Sequence, residues 1–328
     1  MTSTTLKKIS EVLGLSISTV SRALKNHPDI SEKTKQKVIE LATTLDYEPN
    51  ANAIHLRTKN SKVFGVIVPS ISNFFYDSFI ASVEEESRKM GYSLIILQSS
   101  DNAEIELNNL KLCRQNRVNG IFVCITPSTQ NIQPFLRLSE FNIPVIFFDK
   151  VPEFEACNKV CLADTQAAII AANTILSKNK KKVLGIFGNK NMSITKKRLT
   201  AFEDAFTLKK NILHVEYAHS KEEAHAITKQ QLSLKHKPDT VFCMSDEILA
   251  GAMKAIQELH LTIPKDVAII SMSNGFFPKL YYPEITYVET SGYKLGQLAF
   301  SRMISYLAGS TFMQELTLDC ILIEGQSI

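Results

Sequence analysis

The sequence predicts an α N-terminal helix-turn-helix domain joined to an α/β core of two similar subdomains with parallel sheets. Two apolar stripes at helical spacing on either side of Gly14 predict the first part. Alternating strands and helices from Val63 onward predict the second, and the restart of that pattern after residues 149–161 favours two sheets over one. Charge is unevenly divided as well. Residues 1–62 hold ten Lys/Arg against six Asp/Glu, which leaves 27 of each sign for residues 63–328. The cationic excess lies in the first fifth of the chain, where a polyanion would dock.

Leu6, Ile9, Val12 and Leu13 define one apolar face of a first short helix. Gly14 then turns the chain without a Cβ penalty. Ser16 stands at an N-cap position, and Val20, Ala23 and Leu24 give a second helix its buried stripe. The outer face of that helix carries Ser18, Thr19, Ser21 and Arg22. Short hydroxyls and one guanidinium suit a helix that reads DNA, although an ordinary helical hairpin has the same spacing. Past the turn-rich residues 26–30, Ser31 caps a third helix, whose Val38, Leu41, Ala42 and Leu45 close a small core. Residues 50–58 have the length of about two helical turns, too short to stand alone in water. They fit a hinge helix that orders on DNA, and also a plain linker.

In the core, strands are expected at 63–68, 93–97, 121–125, 145–148, 183–187, 215–218, 241–244 and 267–271. Amphipathic helices are expected at 78–90, 104–117, 167–176, 198–208, 222–234 and 247–259. Ligands of such sheets bind at the carboxyl ends of the strands. With 45% hydrophobic and 21% charged residues, the chain has the composition of a globular protein rather than a disordered one. The six cysteines are scattered through apolar runs, as buried free thiols of a reducing cytosol would be. The first residues lack a signal-peptide pattern and no apolar run reaches membrane length, so a cytoplasmic location is expected. The nucleotide-binding patterns GxGxxG and GxxxxGK[ST] and the nucleophile-bearing pattern GxSxG do not occur. His214, His219 and His225 have no closed metal-ligand spacing, and Cys157 and Cys161 form no CxxC pair. The expectation is a protein that is not an enzyme and needs no cofactor or metal.

The stretches TLKKISEVLGLSISTVSRAL, ISEKTKQKVIELATTLDYEPNANA and LRT resemble the lactose-repressor (LacI) family of bacterial transcription regulators. The resemblance continues through FGVIVPSISNFFY, RVNGIF, IPVIFFDK, KRLTAFEDAF, SDEILAGAMKAI, IPKDVAIIS and PEITYV, and so covers nearly the whole chain. It implies a DNA-binding domain at 1–48 and a hinge helix and linker at 49–61. It also implies two periplasmic-binding-protein-like (type I) subdomains, 62–162 with 290–321 and 163–289 with 322–328, enclosing an effector cleft.

Carried over residue by residue, the resemblance implies that Thr5, Ser16, Ser21, Asn26, Ser31, Thr34 and Asn50 hold phosphates. Ile17, Ser18 and Arg22 would face base edges, Arg22 as a bidentate partner of guanine. Ala53 would allow close approach to the minor groove, and Leu56 would wedge between base steps. Ile54 and His55 depart from the arginine and serine common in the hinge. In the cleft, Phe75 and Tyr76 would enclose the ligand, with Asp149, Arg198 and Asp246 as its charged contacts. Ser273 stands where an effector-contacting aspartate is common. Other readings of these residues stay open. Ile17 shares a stripe with Val20 and Leu24, Phe75 and Tyr76 suit a core-facing helix, and Asp246 suits a helix cap or a domain-closing salt bridge. Asp164 reads as the N-cap of the helix that follows it.

The function implied is a homodimeric repressor that binds a palindromic double-stranded operator and answers to a carbohydrate or sugar phosphate, with no membrane attachment. A periplasmic-type sugar-binding receptor is the alternative that the core alone would permit. No heptad helix for tetramerisation is visible at the end of the sequence.

Overall fold

The computed structural model describes residues 5–48, 61–153, 156–207 and 211–328. The chain divides into two compact units, 1–61 and 62–328.

In the first unit, α1 (Leu6–Leu13), α2 (Ile17–Leu24) and α3 (Glu32–Thr44) surround a core of Ile9, Val20, Ala23, Val38 and Ala42. Gly14 ends α1 in the left-handed region at φ 63°, where a residue without Cβ is unstrained. Ser16 and Ser31 cap the next two helices by accepting the backbone N–H groups of Thr19 and Thr34. Val12 departs from the expected face and is 61% exposed. At roughly 100° per residue it falls about 110° from the centre of the stripe made by Leu6, Ile9, Ser10 and Leu13.

The second unit holds two sheets. The first contains β1 (Val63–Val68), β2 (Ser93–Gln98), β3 (Gly120–Val123), β4 (Val145–Phe148), β5 (Asn158–Leu162) and β11 (Glu315–Leu318). They run in the order β11-β5-β4-β3-β1-β2, all parallel. The second contains β6 (Lys182–Phe187), β7 (Ile212–Tyr217), β8 (Thr240–Cys243), β9 (Ala268–Ser273), β10 (Thr286–Glu289) and β12 (Ile321–Ile323). Its order is β12-β10-β9-β8-β6-β7, with only β12 antiparallel. Helices α4 (Phe74–Lys89), α5 (Ala103–Gln115), α6 (Gln133–Leu136) and α11 (Gly292–Leu307) come from segments of the first lobe. Helices α7 (Asp164–Ser177), α8 (Ser193–Thr207), α9 (Lys221–Leu232) and α10 (Asp246–Glu258) come from the second.

All eight expected strands are present with shifts of a few residues, and β5, β10, β11, β12, α6 and α11 are additional. β5 begins inside the apparent break at 149–161 and ends one residue past it. All five of its residues are buried, the polar Asn158 and Lys159 included, so its sequence lacks the alternation that marks a half-exposed strand. The chain passes from the first sheet to the second after β5 and after β11, and back after β10. Each lobe is therefore built from discontinuous segments. Phe79 of α4 stacks on Phe148 of β4 at 3.7 Å, which fixes α4 on its sheet. All six cysteines are buried, and none is joined to another by a disulfide. Among the described residues no helix is long and apolar enough to cross a membrane.

Candidate functional site

Two surfaces carry the residues singled out above. On the first unit, Thr5 accepts the Lys8 N–H at 3.3 Å, Ser16 that of Thr19 at 3.1 Å and Ser31 that of Thr34 at 3.2 Å. Three of the expected phosphate contacts thus stand at helix N-termini, where backbone N–H groups favour an anion. Ser16 Oγ also lies 2.7 Å from Ser18 Oγ, so the start of α2 presents a row of hydroxyls. Asn26 is exposed in the left-handed region at φ 53°, which asparagine tolerates, while Ser21 and Thr34 are half-buried. Ile17 is 49% exposed, whereas Val20 and Ala23 of the same helix are buried. Its place is the outer face beside Ser18 and Arg22 rather than the core. Among the described residues Arg22 pairs with Asp29, at 3.9 Å between two exposed side chains, a weak pairing that leaves the guanidinium available. Lys35 is instead buried and tied to Glu32 at 2.6 Å, which removes it from any DNA-facing surface. Asn50, Ala53 and Leu56 lie outside the described residues, as does the rest of the expected hinge from 49 to 60.

The second surface is a cleft of about 700 Å³ between the lobes of the larger unit. Its wall is made where strands end: Ser70 after β1, Asp101 after β2, Ser128 after β3, Asp149 and Lys150 after β4, Gly188 after β6, His219 after β7 and Ser245 after β8. Phe75, Tyr76, Asp149, Arg198, Asp246 and Ser273 all line this one cleft.

Each of the six is held in a definite way. Tyr76 is buried and its hydroxyl donates to Asp149 Oδ2 at 2.8 Å, with Cys124 Sγ 3.3 Å from the phenol oxygen. Burial, reinforced by the Asp149 charge, holds the phenol well above its usual range. Tyr76 is thus both a core residue, edge-on to Phe148 at 6.4 Å, and part of the wall. Phe75 is half-buried with its ring T-shaped against Tyr76 at 5.5 Å. Asp149 adopts φ 56°, a conformation sparsely used by residues with a Cβ.

Arg198 donates through Nε to Asp164 Oδ1 at 2.8 Å and through Nη1 to the Met244 carbonyl at 3.3 Å. Asp164 is therefore not the N-cap expected from its position. Ala163 occupies that place without a side-chain bond, and Asp164 is the first residue of α7. A buried guanidinium needs a charge partner more than the helix needs a side-chain cap. Burial raises the Asp164 carboxyl above its usual range although Arg198 opposes the shift.

Asp246 opens α10, whose cap is Ser245. Its Oδ1 accepts the Ser273 hydroxyl at 2.5 Å and its Oδ2 the Asn274 N–H at 2.9 Å. Asp246 is thus neither cap nor salt bridge; it binds the end of β9 in its own lobe. Burial pushes it up to about 6, against the pull of those two bonds. Ser273 does not leave a gap where an aspartate is usual, because its hydroxyl is spent on Asp246 and accepts the Gly275 N–H at 3.0 Å.

Several wall residues escaped the sequence. Asn73 caps α4 and also donates through Nδ2 to Glu247 Oε1 at 2.6 Å, across the cleft. Thr195 places a buried hydroxyl in the wall with no hydrogen-bond partner among the described residues. Lys150 lies 3.5 Å from Asp101, and both follow strands, a signal that could have found them. His214 and His225 are engaged separately, by Glu216 and Glu258 at 2.9 Å each.

Residues 5–50 match the family described as "Bacterial regulatory proteins, lacI family". Residues 61–320 match "Periplasmic binding proteins and sugar binding domain of LacI family". The HTH-type transcriptional regulator RegA of Clostridium saccharobutylicum is 26% identical over 310 residues, 93% of this chain and 92% of that one. The HTH-type transcriptional repressor PurR of Vibrio atlanticus is 24% identical over 305 residues, 92% and 91% of the two chains. A crystal structure of the lac repressor dimer bound to operator and the anti-inducer ONPF superposes with a TM-score of 0.89 over 99% of both chains. At 20% identity that likeness is one of fold.

Proposed function

The chain belongs to the LacI family of DNA-binding, ligand-controlled transcriptional regulators, and on that premise we propose that it is a homodimeric repressor whose effector is a small carbohydrate. The observation that carries the ligand half is the convergence of Phe75, Tyr76, Asp149, Arg198, Asp246 and Ser273 on one cleft of about 700 Å³. Aromatic faces beside carboxylate oxygens suit the apolar ring faces and hydroxyl pairs of a sugar. An uncharged sugar is favoured over a sugar phosphate. Arg198 is already neutralised by Asp164 and Lys150 faces Asp101, so neither cation is free for a phosphate.

On the DNA side, Ile17, Ser18 and Arg22 read bases. Thr5, Ser16, Ser21, Asn26, Ser31, Thr34 and Asn50 position the backbone, while Ala53 and Leu56 engage the minor groove. The exposure of Ile17 and Arg22 on α2 supports this assignment. The division of the core into 62–162 with 290–321 and 163–289 with 322–328 belongs to the same proposal, supported by the membership of the two sheets except at residue 321, which opens β12 of the second. So do a cytoplasmic location and the lack of enzymatic activity, since its relatives are transcriptional regulators. Effector binding changes the relation of the two lobes, and operator affinity changes by the corresponding coupling free energy.

Selection of bound sequences from random duplex DNA tests the proposal. Two recognition helices on a twofold axis require a palindrome with half-sites about one helical turn apart. A selection at moderate salt that yields no palindromic motif, with or without candidate sugars, overturns it.

A further inference from the structure

We propose that Asn274 is the positioning residue that couples the cleft carboxylate Asp246 to the opposite lobe. The inference rests on the ligand-controlled reading above and adds the group that carries the signal. Asn274 directly follows β9 in the second lobe. Its backbone N–H donates to Asp246 Oδ2 at 2.9 Å, and the adjoining Ser273 hydroxyl donates to Asp246 Oδ1 at 2.5 Å. Its side chain bonds to the other lobe. Nδ2 donates to the Phe74 carbonyl at 3.0 Å, while Oδ1 accepts the Gly292 N–H at 2.8 Å and lies 3.1 Å from Ser78 Oγ. Phe74 and Ser78 belong to the first turns of α4, and Gly292 is the first residue of α11.

The chemistry of the partners sets the orientation of this amide. A carbonyl can only accept and a backbone N–H can only donate, so a flipped amide would oppose both. Ser78 has one proton, shared between Asn274 Oδ1 and the Phe75 carbonyl at 3.0 Å. Gly292 permits the approach, because a Cβ there would collide with the Phe75 carbonyl and Ser78 Oγ. Aspartate at 274 would set a carboxylate oxygen against the Phe74 carbonyl, so the amide is required.

One residue thereby holds a cleft carboxylate through its backbone and two helix N-termini of the other lobe through its side chain. A ligand group that draws on Asp246 weakens its hold on the Asn274 N–H. Any shift of Asn274 is passed to α4 and α11, which move as parts of the first lobe. Asn73 also donates to Glu247, which neighbours Asp246 in the first turn of α10, so that turn has a direct bond to α4 beside the route through Asn274.

The test is hydrogen exchange read by mass spectrometry on the full chain without ligand, comparing wild type, Asn274→Ala, Asp246→Ala and the double variant. Asn274→Ala is expected to raise exchange at residues 76–80 and 293–296 about tenfold. Asp246→Ala, which removes no bond to either helix, is expected to raise the same amides severalfold. The double variant should exceed Asn274→Ala by little, because both act through one residue. Wild-type rates at α4 and α11 in Asp246→Ala, or additive effects in the double variant, overturn the coupling. Ser273→Ala, which removes one bond to Asp246, repeats the comparison if Asp246→Ala fails to fold. A rise at α4 and α11 supports the coupling and unchanged rates overturn it. No operator is needed, so this failure is distinct from the absence of a palindromic motif, which would sink the regulator reading itself.

Discussion

Arg198 Nε and Nη2 both lie 2.8 Å from a single oxygen, Asp164 Oδ1, in a site that buries both side chains. Removing one partner of such a pair strands a charge in a poorly solvated site, at a cost of about 3–5 kcal/mol. Asp164→Ala is expected to lose stability on that scale, and Asp164→Ala with Arg198→Met to recover most of it. Urea unfolding of the three proteins makes the comparison. Equal stability of the single and double variants would mean that the stranded charge is not the cost.

Asp246 gives the fold a pH dependence of definite sign. Its folded value of about 6 lies above the ordinary aspartate value of 3.8, so the native state holds this proton more tightly than the unfolded chain. The contribution is fully present below about pH 4 and is lost as pH rises through about 6, a change of about 3 kcal/mol at 1.36 kcal/mol per unit. Subtracting the unfolding free energy of Asp246→Asn across pH 3.5–7.5 isolates it. A flat difference would show that the carboxyl titrates normally.

Thr195 offers a cleaner substitution. Its buried hydroxyl has no partner among the described residues, and valine has nearly its shape. Thr195→Val should stabilise the protein by about 1 kcal/mol, since an unpaired buried hydroxyl is desolvated without return. If the hydroxyl instead serves the ligand, the same variant loses affinity for the sugar that releases or recruits DNA. Thermal unfolding and sugar titration separate the two effects.

On the DNA side, Arg22→Ala should cost about 1–3 kcal/mol of operator binding and relax the preference at one base position of each half-site. Ser16→Ala should weaken all sequences alike, because a phosphate contact carries no base information. Leu56→Ala should reduce specific binding far more than nonspecific binding, as loss of a minor-groove wedge requires. Competition binding with single-base operator variants distinguishes these three patterns. Uniform weakening by Arg22→Ala would remove it from the base-reading set.

The helices of the first unit were legible because their signals are local. A stripe spaced three and four residues apart, a glycine at a turn and a serine before a helix each act within a single turn of chain. Even there Val12 shows the limit: four apolar residues fit one face by spacing, and only packing shows that three of them use it. Ile17 is the converse. Its spacing admits core or surface, and the position of α1 and α3 decides for the surface. β5 was illegible for a related reason, since a strand buried on both faces and carrying Asn158 and Lys159 has no period to detect.

The sequence by itself determined the strand–helix alternation for eight of the strands, the cationic first unit and the chain positions that follow those strands. Asp149 and Lys150 lie at such positions, because a parallel sheet puts all such ends on one side, whereas Tyr76 reaches the cleft from α4 and Arg198 from α8. Tertiary structure alone decided which of these residues meet. Asp164 and Arg198 are 34 residues apart, and Phe74 and Asn274 are 200. Their pairing depends on the order of strands in each sheet and on three passages of the chain between lobes. Periodicity records neighbours along a helix or strand, whereas the partner of a buried charge is set by whichever distant segment the fold brings within hydrogen-bond reach. Asp164 shows the difference: by local rule a cap, in the folded chain the counter-charge that holds Arg198 at the cleft wall.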